Sequence, residues 1–172
     1  SGKTYESLLS QMAYSRSIDN FLLYLKNILA EVIDSKPQLL KSGETERLDF
    51  VLQFDDINEL RRALAKKKVE NLFYGGFSEI CKFYQSRLGI DLVKSQEDLN
   101  RLTMMTKIRN LIAHNAGKVN LEFKKEFPSY PIDVGESVRF SYREILDENA
   151  LILKSVEFID DRITKKFGLS LL

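Results

Sequence analysis

The sequence predicts an all-α fold, a single helical bundle of about five to six helices over residues 1–172 with at most one short extended segment near 137–142. Three observations carry that reading. Apolar residues recur at three- and four-residue spacing along most of the chain. Capping residues and glycine stops punctuate that period at helix-length intervals. A chain of 172 residues with three prolines suits one domain with a sizeable core.

The elements follow in order. From Tyr5 to Ile33 the apolar positions Leu8, Leu9, Met12, Ile18, Phe21, Leu22, Leu25, Ile28, Leu29 and Val32 form the stripe of a long amphipathic helix, with Ser15 as a candidate interruption. Pro37 ends it, because the residue before a proline is pushed out of helical backbone. Residues 41–46 read as an exposed connection. Asp55 or Asp56 caps a helix through Leu60, Leu64 and Val69 that breaks near Gly75-Gly76. The next helix carries Phe77, Ile80, Cys81, Phe83, Tyr84 and Leu88 and stops at Gly89. Ser95 with Asp98 reads as a capping box opening a helix from Gln96 to about Asn115, which Gly117 terminates. Residues 118–134 are irregular. Arg143 to Lys166 is the last helix, with Ile145, Leu146, Ala150, Leu153, Val156, Ile159 and Ile163 on one side.

Composition removes several function classes. Twenty-six basic against 25 acidic residues leave a net +1, so no bulk positive field drives nucleic-acid binding and any such contact must be local. No apolar run approaches the roughly 20 residues of a membrane helix, so no membrane partner is expected. The single cysteine excludes an internal disulfide and fits a reducing compartment, with the cytoplasm as default. One His and one Cys make no zinc set, and neither a metal nor another cofactor is expected. Ser1-Gly2 reads as a cloning remnant.

The helix from Gln96 concentrates the chemistry. At about 100° per residue, Met104, Met105, Ile108, Leu111 and Ile112 gather within roughly 120° as its core side. Thr103, Thr106, Asn110 and His114 fall opposite, and Arg109 flanks Asn110 and His114. A lone histidine is most often a satisfied structural residue. This one stands away from the apolar stripe, beside a fixed cation and a neutral dipole. Such a set suits phosphoryl chemistry: Arg presents a planar fork to phosphate oxygens, His moves a proton, and Asn orients a hydroxyl or the imidazole. Cleaving RNA through its 2′-hydroxyl requires one group to take that proton, another to protonate the leaving oxygen, and positive charge at phosphorus. One chain offers a single histidine and two chains offer two. That count points to a homodimer whose two-fold axis sets this surface against itself.

The string Arg109-Asn110-Leu111-Ile112-Ala113-His114-Asn115, followed by Gly117 and Val119, resembles the signature of the HEPN superfamily: an Arg, a polar residue and a His at the end of a long helix. The resemblance extends to the preceding helix Phe73 to Leu88 with Gly89-Ile90-Asp91, and to the long final helix ending near Gly168. It is nearest to the stand-alone HEPN proteins of prokaryotic conflict systems. It implies dimerisation through the motif helices and a metal-independent endoribonuclease leaving 2′,3′-cyclic phosphate and 5′-hydroxyl ends. Arg109 would bind the scissile phosphate, His114 act as acid or base, and Asn110 position them; Asn115, Lys118 and Thr106 are candidate substrate contacts. It further implies a toxin or defence effector with an RNA substrate and an antitoxin or regulatory protein as partners. The alternative is a non-catalytic HEPN module that dimerises and binds a nucleotide or another protein.

Other candidates have blander readings. Arg61 to Lys68 is the densest basic run, either a solvated helix face or a track for an RNA backbone; Lys118, Lys124 and Lys125 offer the same pair of readings. Gly75-Gly76 lacks the Gly-Lys-Ser/Thr ending of a phosphate loop and reads as a helix break. Cys81 lies among Ile80, Phe83 and Tyr84 and reads as a small buried hydrophobe. The expected solution state is a dimer, and a monomer mass by sedimentation at micromolar concentration would remove the shared-cleft argument.

Overall fold

A computed structural model describes residues 2–169, and Ser1 of the suspected cloning remnant lies outside them. The protein is all-α: among the described residues there are seven helices and no sheet, and 73% is helical. The helices are α1 (Gly2–Ser35), α2 (Leu48–Val51), α3 (Ile57–Tyr74), α4 (Phe77–Phe83), α5 (Gln96–His114), α6 (Leu121–Glu126) and α7 (Tyr142–Phe167). A 3-10 turn spans Pro37–Leu40, and a π turn, Tyr84–Leu88, continues α4. Among the described residues no helix is long and apolar enough to cross a membrane.

The chain divides into two compact units, Ser1–Leu22 with Leu92–Ile159, and Leu23–Asp91 with Asp160–Leu172. In the second, α1 buries Leu25, Leu29 and Val32 completely, beside Ile80, Tyr84, Leu88 and Ile163. Tyr84 is wholly enclosed, so its hydroxyl must find an acceptor; it donates to the Leu25 carbonyl at 2.7 Å. Gly89, at φ +62°, closes the π turn in left-handed backbone that other residues adopt at a cost.

The first unit has its core at Ile18, Phe21, Leu102, Met105, Ile108, Val119, Val138 and Ile159. Tyr14 stacks on Phe140, with centroids 4.1 Å apart. The expected extended segment near 137–142 amounts to one antiparallel bridge, Lys118 with Ser137. It is held by Val119 N–H donating to the Glu136 carbonyl and Val138 N–H donating to Gly117. Gln11, buried on α1, donates its amide to the Val138 carbonyl at 2.9 Å.

Several local expectations meet the structure directly. Asp56 caps α3 through Asn58 and Glu59 N–H, and Ser95 caps α5 through Asp98 N–H. The Asp98 carboxylate, which a full capping box would turn back, instead pairs with Lys154 at 2.9 Å. A reciprocal box stands at Ser141 and Glu144, where the Ser141 N–H donates to the Glu144 carboxylate and the Glu144 N–H to the Ser141 hydroxyl. Ser15 does not interrupt α1, because one serine costs a helix only about 0.5 kcal/mol against extensive tertiary packing. Two of the seven helices, α2 and α6, have four and six residues, too few turns for a periodic signal.

Gly117 and Gly135 both have positive φ, but only at Gly117 would a Cβ meet a neighbour, the Gln11 amide at 2.8 Å. Both alanine variants should lose about 1–2 kcal/mol to the backbone, and Gly117→Ala more, because it also displaces the Gln11 pin. Chemical denaturation of the two variants side by side checks this; equal losses would mean that Gln11 yields freely.

Candidate functional site

Helix α5 exposes Asn110 and His114 where the period places them, while Thr103, Met104 and Ile112 are half-buried and one residue changes sides. Leu102, Met105, Ile108 and Leu111 are buried, and so is Thr106, at 7% exposure. Thr106 donates its hydroxyl to the Thr103 carbonyl of its own helix at 2.8 Å, which satisfies a small polar residue inside the core. Its assignment as a substrate contact is therefore corrected: the buried arc of α5 extends over it.

Asn110 and His114 remain exposed on the same face, with His114 the last residue of the helix. Past it, Ala116 and Gly117 take left-handed φ of 50° and 71°. The N–H groups of Asn115 and Gly117 both return to the Leu111 carbonyl. The Asn115 amide donates to the Lys118 carbonyl at 2.7 Å and so ties the turn that carries it.

Beside this face lies a cleft of about 330 Å³ between the end of α5 and α6. Asn110, His114 and Asn115 line it, as do Lys107, Asn120, Glu122 and Glu126. Lys107 shares the helix face at positions i, i+3 and i+7 with Asn110 and His114, a spacing that could have marked it in the sequence. Asn120 caps α6 by accepting from Phe123 N–H at 2.8 Å. Lys107 pairs with Glu126 at 3.0 Å. With Glu122 the lining holds one lysine against two carboxylates, so this cleft alone does not attract a phosphate.

Arg109 is outside that lining. Its Nε donates to Asp19 of α1 at 2.7 Å and one terminal nitrogen donates to the Asn110 side-chain carbonyl at 3.2 Å. Both members of the Arg109–Asp19 pair are partly exposed, so the pair is worth about 1 kcal/mol or less and yields to a better anion. Lys118 has an exposed side chain and likewise does not line the cleft.

Asp19 stands on the same side of α1 as Tyr5, Leu8, Leu9 and Met12. These four residues are 69%, 53%, 63% and 58% exposed, so Leu8, Leu9 and Met12, which their spacing assigned to the apolar stripe of the helix, are not part of its buried face. An unpartnered apolar stripe on α1 therefore leads to the residue that holds Arg109.

Other sequence candidates resolve as follows. Lys67 and Lys68 of the basic run pair with Glu46 and Glu44 in the second unit. Lys124 donates to the Tyr130 and Ile132 carbonyls and is committed to that loop. Gly76, at φ 92°, is the turn between α3 and α4. Cys81 is half-buried rather than fully buried, and desolvation pushes its thiol up to about 12.

Removing the α6 cap should loosen the cleft wall that bears Glu122 and Glu126. Asn120→Ala is expected to cost about 1 kcal/mol and to lower the melting temperature; an unchanged melt would show that α6 is held by Phe123 alone. No protein-family model, curated protein or solved structure matches the chain.

Proposed function

We propose that the chain is a metal-independent endoribonuclease of HEPN type whose working site is completed by a second copy. One observation carries this reading: Arg109 bonds the side chain of Asn110, and His114 is exposed one turn further along the same helix. In RNA cleavage Arg109 exchanges Asp19 for a non-bridging phosphate oxygen. His114 of one copy takes the 2′-hydroxyl proton as the oxygen attacks phosphorus, His114 of the other protonates the departing 5′-oxygen, and Asn110 orients the imidazole.

Two features support the second copy. A single chain has one imidazole for two proton transfers. The α5–α6 cleft also lacks the positive charge that a phosphate requires, which a facing Arg109 would supply. The exposed stripe of Tyr5, Leu8, Leu9 and Met12 is the surface we assign to that contact. The Arg109–Asp19 pair is then the resting arrangement of a toxin or defence effector, and a regulatory protein acts by covering the same stripe. A second reading is a non-catalytic module that binds a nucleotide or a protein, and the two carboxylates in the cleft favour its protein-binding form.

The test is cleavage of structured and single-stranded RNA in EDTA. The expected products carry 2′,3′-cyclic phosphate, and His114→Ala is expected to lose about 100-fold or more. Asp19→Asn should tighten RNA binding and steepen its salt dependence by about one phosphate contact. Equal cleavage by wild type and His114→Ala would overturn the reading, and tight nucleotide binding without turnover would select the module.

A further inference from the structure

The second unit contains a cleft of its own, about 400 Å³, between the 3-10 turn Pro37–Leu40 and helices α3 and α4. It is unrelated in sequence to the Arg109 motif and independent of the nuclease reading. Its apolar side comes from Leu39, Leu40, Leu72 and Phe83. Its polar side holds three cations, Lys68, Lys82 and Arg87, against two carboxylates, Glu44 and Glu79. That is the reverse of the charge balance in the α5–α6 cleft.

The carboxylates are not equivalent. Glu79 pairs with Lys82 three residues along the same helix, both well exposed, an ordinary surface pair. Glu44 sits on the non-helical tract that follows the 3-10 turn and reaches across to α3, where its Oε1 meets Lys68 Nζ at 2.6 Å. The hydrogen bond from Lys68 lowers the Glu44 carboxyl below its usual range, and Arg87, which lines the same cleft, adds to the effect through its field. Arg87 also donates to the Lys41 carbonyl at 3.2 Å, and its planar fork has further donors. The tract is otherwise tied to α3 by Glu46 on Lys67, again through exposed side chains that hold weakly.

We propose that this cleft binds a phosphate monoester of mononucleotide size, its phosphate replacing the Glu44 carboxylate between Lys68 and Arg87 and its apolar body lying against Leu39, Leu72 and Phe83. The chemistry follows from the exchange. A phosphate monoester carries close to two charges and three acceptor oxygens, where a carboxylate carries one charge and two oxygens. It therefore satisfies the Lys68 ammonium and the Arg87 fork together, which Glu44 alone does not. The cleft volume falls in the range of small-molecule sites, and the leucine and phenylalanine side gives an organic body more to bury than a bare anion has.

Titration calorimetry of the full chain at low salt, with adenosine 5′-monophosphate, adenosine and inorganic phosphate as probes, tests this. Adenosine monophosphate should bind more tightly than either part alone. Lys68→Ala and Arg87→Ala should each weaken it by about tenfold or more. Glu44→Gln should tighten it several-fold, because the competing anion is gone, and His114→Ala should leave it unchanged. All four side chains are on the surface, so the variants are expected to fold. Absent binding, equal affinity for adenosine or for inorganic phosphate, or insensitivity to Lys68→Ala and Arg87→Ala would overturn the proposal. A weaker Glu44→Gln complex would overturn it as well, and loss of binding in His114→Ala would move the ligand to the other cleft.

Discussion

Helix α5 ends at His114 because the backbone past it winds left-handed through Ala116 and Gly117, returning two N–H groups to the Leu111 carbonyl. The turn is closed from outside by Gly117 accepting from Val138 N–H, and Val138 in turn accepts from buried Gln11. Three segments far apart in sequence thereby agree on where one helix stops. Without that agreement the imidazole would lie mid-helix or in a loose loop, and its relation to Asn110 would not be defined. Ala116 is the only described non-glycine residue in left-handed backbone, and this conformation costs about 1–2 kcal/mol. Such strain persists only where the surroundings over-determine it.

Charge, rather than shape, separates the two clefts. Beside α5 the lysine is matched and exceeded by carboxylates, and the arginine is turned toward α1. Beside α3 and α4 the cations are in excess and one of their counter-ions comes from a tract outside any helix. A near-neutral chain thus carries two local fields of opposite sense, which its net +1 conceals.

The all-α fold was legible because its long helices repeat their apolar period several times and declare their ends with Asp56, Ser95, Gly89 and Gly117. The face bearing Asn110 and His114 was legible for the same reason. Spacing alone, however, does not fix the phase of a long helix: at about 100° per residue Leu8, Leu9 and Met12 lie across α1 from Leu25 and Leu29, and only the latter pair is buried. Thr106 misled because its hydroxyl is satisfied within its own helix, a local bond that residue type does not announce. Asp19, ninety residues from Arg109, and Glu44, twenty-four from Lys68, become partners only through tertiary placement.

The π turn from Tyr84 to Leu88 constrains how this chain can change in length. A π turn holds one more residue than an α turn, so losing or gaining a residue there rotates everything after it by roughly 100°. Tyr84 and Leu88 are both fully enclosed, and Gly89 must meet the next segment in left-handed backbone. Insertions and deletions are therefore barred from this stretch, while the open tract preceding α2, held to α3 by exposed ion pairs, is where the unit can absorb them.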